Sequence, residues 1–198
     1  MQQMIYDLTY MPKGHTGHLC PTKLVVEAWQ QFFDICPFTN ILEFGFNTGW
    51  SSALLLTMFP NVKITSIEIE QNKNSLLGAS VLQEKFPNRH KIIWADSQKL
   101  AIDTIQNKKN LLLDTYDLAF IDGGHFPDIV RSDINLSLHL KIKIFVFDDI
   151  NKPNVYLGIK EYSQLKLICE KYYHETKYKN KGFIFKNNKI NLSYFQFN

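Results

Sequence analysis

Disulfide frameworks, membrane spans and charge blocks are all missing from this chain of 198 residues. Its three cysteines, Cys20, Cys36 and Cys169, lie far apart and form no C-x-x-C pair. That excludes a disulfide scaffold or a cysteine zinc site and points to free thiols in a reducing compartment. No apolar run approaches the ~18–20 residues of a membrane helix. The opening MQQMIYDLTY has no basic stretch followed by an apolar core, so no secretory signal and a cytoplasmic location are expected. The net charge is +3 and the lysines are dispersed, which fits a solvated surface better than a partner's footprint. There is no internal repeat and no low-complexity linker, so a single domain is expected over residues 21–198. Residues 1–20 form an irregular N-terminal segment. Within it Lys13–His18 carries two glycines and the pair His15/His18, a composition that suits a substrate lid as well as a plain surface loop.

What the chain does have is a strand, a glycine turn and a helix in Ile41–Leu56, ILEFGFNTGWSSALLL. Glu43 stands at the strand end, Gly45 and Gly49 bracket the turn, and Ser51 and Ser52 open the helix. Unpaired N–H groups there favour an anion, and in an open α/β sheet such a unit holds a nucleotide-like ligand. The turn Gly45-Phe46-Asn47-Thr48-Gly49 is not G-x-G-x-x-G, which lowers the case for a dinucleotide dehydrogenase. Around it, Thr22–Ile35 is expected as a helix. Strands are expected at Ile41–Phe44, Val62–Ile67, Lys91–Trp94, Leu118–Ile121 and Ile144–Phe147, with helices between them and a long helix over Tyr156–Tyr172. Two closing strands, His174–Lys179 and Phe183–Lys186, look like a hairpin, and Ile190–Phe197 can add a short strand.

Ligands in such sheets sit at the carboxyl ends of the strands. The first three strands deliver Glu43, then Glu68, then Asp96 and Ser97. An acid past the second strand suits ribose hydroxyls, and Asp96–Ser97 suits an adenine edge, although Asp96 also fits a helix cap. The fourth strand delivers Asp122, followed by Gly123-Gly124-His125; the fifth delivers Asp148 and Asp149. If these two strands are neighbours, three carboxylates converge. Like charges that close together call for a cation, and an oxygen donor set suits Mg2+. His125 lies within reach of a substrate held there, as a proton acceptor.

With these residues in view, the chain resembles the class I S-adenosylmethionine-dependent methyltransferases. It looks most like the metal-dependent small-molecule O-methyltransferases of the catechol/caffeoyl-CoA and macrocin/novobiocin types. LEFGFNTGWSS (42–52), ITSIEIEQN (64–72), YDLAFIDGGH (116–125) and FVFDDI (145–150) carry the resemblance. It implies a Rossmann-like α/β fold: a mainly parallel seven-stranded sheet, helices on both faces and a C-terminal antiparallel hairpin. It further implies that Glu43 meets the methionine amino group of the cofactor and that Gly45, Phe46, Asn47, Thr48 and Gly49 wrap its methionine part. Ser51 would lie near its carboxylate, Glu68 would hold the ribose, Ile69 would lie against the adenine, and Ser97 with Asp96 or Gln98 would bind the adenine edge.

By the same resemblance Asp122, Asp148 and Asp149 bind the metal, and Asp122 also borders the cofactor. Catechol-type enzymes place a lysine base where this chain has His125; novobiocin-type enzymes place an aspartate where it has Gly124. The Lys/Arg-Gly-Gly turn common before the fifth strand is replaced by Leu140-Lys141-Ile142-Lys143. The implied reaction is methyl transfer to a hydroxyl of a small-molecule acceptor, with His125 taking its proton. Many metal-dependent members are dimers, which leaves a homodimer open. The alternatives are a metal-free methyltransferase acting on nitrogen, protein or nucleic acid, and a cofactor-binding module without turnover. Asp122-Gly123-Gly124-His125 is not the Asn/Asp-Pro-Pro-aromatic motif of base-amino methyltransferases, which speaks against nucleic acid.

Overall fold

The computed structural model describes residues 8–12, 21–108, 111–112, 115–150, 152–162, 165–170 and 193–197. Five strands run parallel: β1 (Asn40–Phe44), β2 (Lys63–Glu68), β3 (His90–Trp94), β4 (Leu118–Ile121) and β5 (Ile144–Phe147). The helices α1 (Lys23–Ile35), α2 (Trp50–Met58), α3 (Lys73–Lys85), α4 (Ser97–Ile105), α5 (Pro127–His139) and α6 (Pro153–Ile159) alternate with them. Two further strands, β6 (Leu165–Glu170) and β7 (Ser193–Phe197), run antiparallel at the β5 edge, giving the order β3-β2-β1-β4-β5-β7-β6. From β1 the chain fills one side of the sheet through β2 and β3, then crosses to β4 and β5 on the other. The switch point therefore lies between β1 and β4.

Local chemistry explains the elements. Strands β1 and β4 are apolar almost throughout because helices cover both faces; Ile41, Leu42, Leu118, Ala119 and Phe120 are fully buried. Thr22 caps α1 by accepting the Val25 N–H at 3.3 Å. Asn72 and Asp96 cap α3 and α4 in the same way, each satisfying N–H groups that the first turn leaves open. Pro127 and Pro153 stand in the first turns of α5 and α6, where a missing N–H costs nothing. One face of the sheet packs on α1 and α2 through an aromatic cluster, with Trp29 edge-on to Phe120 at 5.4 Å between ring centres. The other face packs on α4, α5 and α6 through residues such as Phe44, Ile121, Ile134 and Phe147.

The structure corrects the C-terminal expectation. The helix expected over Tyr156–Tyr172 ends at Ile159, and Leu165–Glu170 is a strand. Pairing with β7 gives that apolar stretch a ladder, and tertiary context overrides its local helical pattern. Tyr162 marks the break: its hydroxyl donates to Asn135 Oδ1 at 2.9 Å and lies 3.1 Å from the Arg131 carbonyl, tying the segment to α5. The hairpin expected at His174–Lys179 and Phe183–Lys186 lies outside the described residues. Of residues 1–20, Leu8–Pro12 are described and pack on the domain. Leu8 and Met11 are buried, and the Trp50 indole N–H donates to the Pro12 carbonyl at 2.9 Å. His15 and His18 lie outside the described residues. Among the described residues no helix is long and apolar enough to cross a membrane.

Candidate active site

The turn after β1 is held open by conformation and closed by packing. Gly45 and Gly49 have φ of 90° and 82°, values that L side chains rarely adopt. A Cβ on Gly45 would sit 2.3 Å from the Asp122 carbonyl oxygen, and one on Gly49 would strike the Phe46 ring at 2.5 Å. Phe46 is thus folded inward, buried and stacked on His90 at 5.2 Å. Its backbone faces the turn, not its ring. Asn47 takes a left-handed φ of 51°. Thr48 is buried and its carbonyl abuts Gly78 of α3; its hydroxyl has no partner.

Beneath the turn lies a buried polar knot. Glu43 Oε1 accepts the Ser51 hydroxyl, while Oε2 accepts Ser52 at 2.6 Å and Ser66 at 2.5 Å. Ser66 Oγ is also 3.0 Å from His90 Nε2. Burial raises the Glu43 pKa against the three hydroxyl bonds, and Glu68 adds to the rise. Glu43 is fully buried, so its carboxylate is spent on fastening β1 to α2 and β2. Burial also pushes His90 down to about 4, which keeps it neutral.

Glu68 closes the turn from β2. Its Oε2 accepts the Phe46 and Asn47 N–H groups at 2.9 and 2.7 Å, and its Oε1 accepts the Glu70 N–H at 2.9 Å. Ile69 beside it is 65% exposed, an apolar surface left bare at the rim. Asp96 is the α4 cap, accepting Gln98 N–H at 2.9 Å. Near Ser97 lies an acid that the strand-end inventory passes over, Asp133 of α5. It is buried, and its Oδ2 lies 3.7 Å from the place of a Gly123 Cβ. Burial lifts it to about 7, the Ser97 hydroxyl opposing and the Asp96 charge assisting.

Across the switch point β4 and β5 are neighbours, so the acids of their ends do meet. Burial and the neighbouring charges of Asp148 and Asp149 hold Asp122 well above the usual range, and burial with the Asp149 charge lifts Asp148 to about 6. Asp148 Oδ1 also accepts the Asp149 N–H at 2.8 Å. Asp149 has a left-handed φ of 54°, which turns its side chain toward His125. His125 Nε2 is 2.6 Å from Asp149 Oδ2, and the Lys152 ammonium is 2.5 Å from the same oxygen. These two hydrogen bonds hold Asp149 below its ordinary value despite burial.

Donor atoms of Asp122, His125 and Asp149 lie within 4.8 Å of one another. Asp148, expected as a ligand, stands outside that group. A cavity of about 10 Å3 opens beside it, lined by Asp122, Gly124, His125, Val130, Asp148 and Val155, room for one water or ion. A buried surplus of negative charge, an oxygen-rich donor set and a cavity of that size fit a hard cation. Lys152 was missed in the sequence; its signal is the three-residue step from Asp149.

Comparison with known proteins agrees with this geometry. A family model described as a methyltransferase domain matches residues 42–150, from β1 through the end of β5. The chain belongs to that methyltransferase family and is an enzyme of that class. No curated protein matches it. Among solved structures, the Bacillus cereus O-methyltransferase in complex with SAH has a TM-score of 0.63 at 16% identity, over 90% of this chain and 82% of that one. TomG, an O-methyltransferase of Streptomyces achromogenes solved with SAM, gives 0.60 at 17%, over 89% and 80%. A Staphylococcus aureus structure assigned as a caffeoyl-CoA O-methyltransferase gives 0.51 at 19%, over 69% of this chain. The match spans 60% of the length of that protein. These likenesses show the shared Rossmann-like fold.

Proposed function

We propose that this enzyme transfers a methyl group from S-adenosylmethionine to a hydroxyl of a small molecule, with a divalent cation, most simply Mg2+, at the acidic cluster. The observation that carries the reading is the junction of two half-sites. The glycine turn with Glu68 lies on one side of the switch point, the Asp122/His125/Asp149 group lies on the other, and Gly45 packs against Asp122 where they meet. The SAH and SAM complexes among its fold neighbours support the choice of cofactor.

In this reading the turn Gly45–Gly49 and Ser51 hold the methionine part, with Glu43 acting beneath them as the anchor of Ser51. Glu68 moves from the turn's N–H groups to the ribose hydroxyls, and bare Ile69 supports the adenine. Ser97 binds the adenine edge while Asp96 keeps α4 in place. Asp122 and Asp149, with Asp148 behind them, would hold the cation, which would supply Lewis-acid chemistry toward the acceptor hydroxyl. His125 takes the hydroxyl proton. Donation of Nε2–H to Asp149 leaves Nδ1 as its basic nitrogen. The cofactor would supply the methyl group, an oxygen–carbon bond replacing its carbon–sulfur bond with SAH as the leaving product, and the part of these residues is to position the two reactants. The N-terminal segment, residues 1–20, is assigned to reading the acceptor as a lid, in keeping with the Pro12 carbonyl that accepts from the Trp50 indole.

A metal-free methyltransferase is the second reading, favoured by the Lys152 ammonium already present in the cluster. Titration of SAH into the wild type and Glu68→Ala tests the cofactor half. The wild type is expected to bind and the variant to lose about tenfold or more, since a charge-assisted bond is worth roughly 1.5–3 kcal/mol. Equal binding would remove Glu68 from the site.

A further inference from the structure

Lys152 reaches the acidic cluster by construction. Its N–H donates to the Asp149 carbonyl at 2.8 Å, closing a turn, and with Asp149 at φ 54° the two side chains converge. The ammonium lies 2.5 Å from Asp149 Oδ2 and 3.2 Å from His125 Nε2. The lysine side chain is 37% exposed and the Asp149 side chain 9%, so the cation enters from the rim and the carboxylate lies inside. Asp149 Oδ2 thus already receives two nitrogen donors, on a carboxylate of the Asp122/His125/Asp149 group.

We propose that Lys152 is the resident cation of this site: its ammonium fills the place on Asp149 that a divalent ion needs, and it thereby sets how tightly such an ion binds. This rests on the metal reading of the cluster. Buried carboxylates without a counter-charge are costly, and Lys152 lets the cluster form before any ion arrives. A divalent ion on Asp149 and Asp122 would lie within a few ångströms of the ammonium, where like charges repel strongly. The long lysine stem can swing out to solvent, so the ion enters by exchange and is held weakly.

The test is Mn2+ binding to the full chain, read from the free-ion EPR signal, for wild type, Lys152→Met, Lys152→Gln and Lys152→Arg. Removing the charge in Lys152→Met and Lys152→Gln is expected to tighten binding by about tenfold or more, the order set by one unit charge at that range. Lys152→Arg keeps the charge and is expected to stay within about threefold of wild type. The gain is expected to vanish in Lys152→Met/Asp149→Asn. Binding to Lys152→Met with none to wild type also supports the inference, and shows that the native site runs on its lysine. Folded neutral variants that bind Mn2+ no tighter than wild type overturn it. Absence of Mn2+ binding in wild type and both neutral variants, with SAH still bound, overturns the inference and the metal reading together while leaving the methyl-donor reading intact.

Discussion

Gly45 and Asp122 touch across the switch point, the place of a Gly45 Cβ lying 2.3 Å from the Asp122 carbonyl oxygen. The contact joins the turn after β1 to the acidic end of β4, and only a residue without a side chain permits it. Gly45→Ala adds a backbone clash to an unfavourable positive φ, and is expected to lower unfolding free energy by about 3 kcal/mol. Gly123→Ala is the control. Its new Cβ would meet neighbours at 3.5 Å or more, so a loss of under ~1 kcal/mol is expected. Urea denaturation of both variants checks the contrast.

Glu43 accepts hydroxyls from Ser51, Ser52 and Ser66 while fully buried. Glu43→Ala leaves those hydroxyls without their acceptor, and a loss of about 3 kcal/mol is expected. Ser66→Ala removes one donor and is expected to cost about 1 kcal/mol. A Glu43→Ala protein as stable as wild type would show that the knot does not fasten the turn.

Two buried groups give opposite pH slopes to stability. Asp133 is raised to about 7 by burial. Its contribution is fully present below the unfolded value of about 3.9 and is lost as pH rises through about 7. The total is at most ~4 kcal/mol at ~1.4 kcal/mol per unit. His90 is lowered to about 4 by burial. Its contribution is present above the unfolded value near 6.5 and is lost as pH falls through about 4, at most ~3 kcal/mol. Asp133→Asn is therefore expected to lessen the decline between pH 4 and 7, to which the raised Glu43, Asp122 and Asp148 also contribute, and His90→Phe to remove the decline on the acid side. Denaturant midpoints from pH 4 to 8 measure both.

The parallel half of the fold was legible because each strand is a short apolar run closed by a turn, and register then brings the acids of β1, β2, β4 and β5 to one edge. The stretch from Tyr156 onward was not. Its helix or strand choice depends on pairing with Ser193–Phe197, far along the chain. The site divides in the same way. Glu68 against the turn and Asp122 near Asp149 follow from strand ends alone. The inward turn of the Phe46 ring, the burial of Glu43 under three hydroxyls and the arrival of Lys152 depend on side-chain packing and a positive φ at Asp149, which no spacing rule reports. Asp133 went unseen because it comes from a helix interior, where an acid usually faces solvent.

The central claim is methyl transfer through the acidic cluster. Its most direct test is transfer of labelled methyl from S-adenosylmethionine to a panel of small hydroxyl acceptors, with Mg2+ or EDTA, by wild type and by Asp148→Ala/Asp149→Ala. O-methylated product is expected with Mg2+, at least ~100-fold less with EDTA, and a comparable loss in the double variant. Undiminished transfer by a folded double variant in EDTA would contradict it.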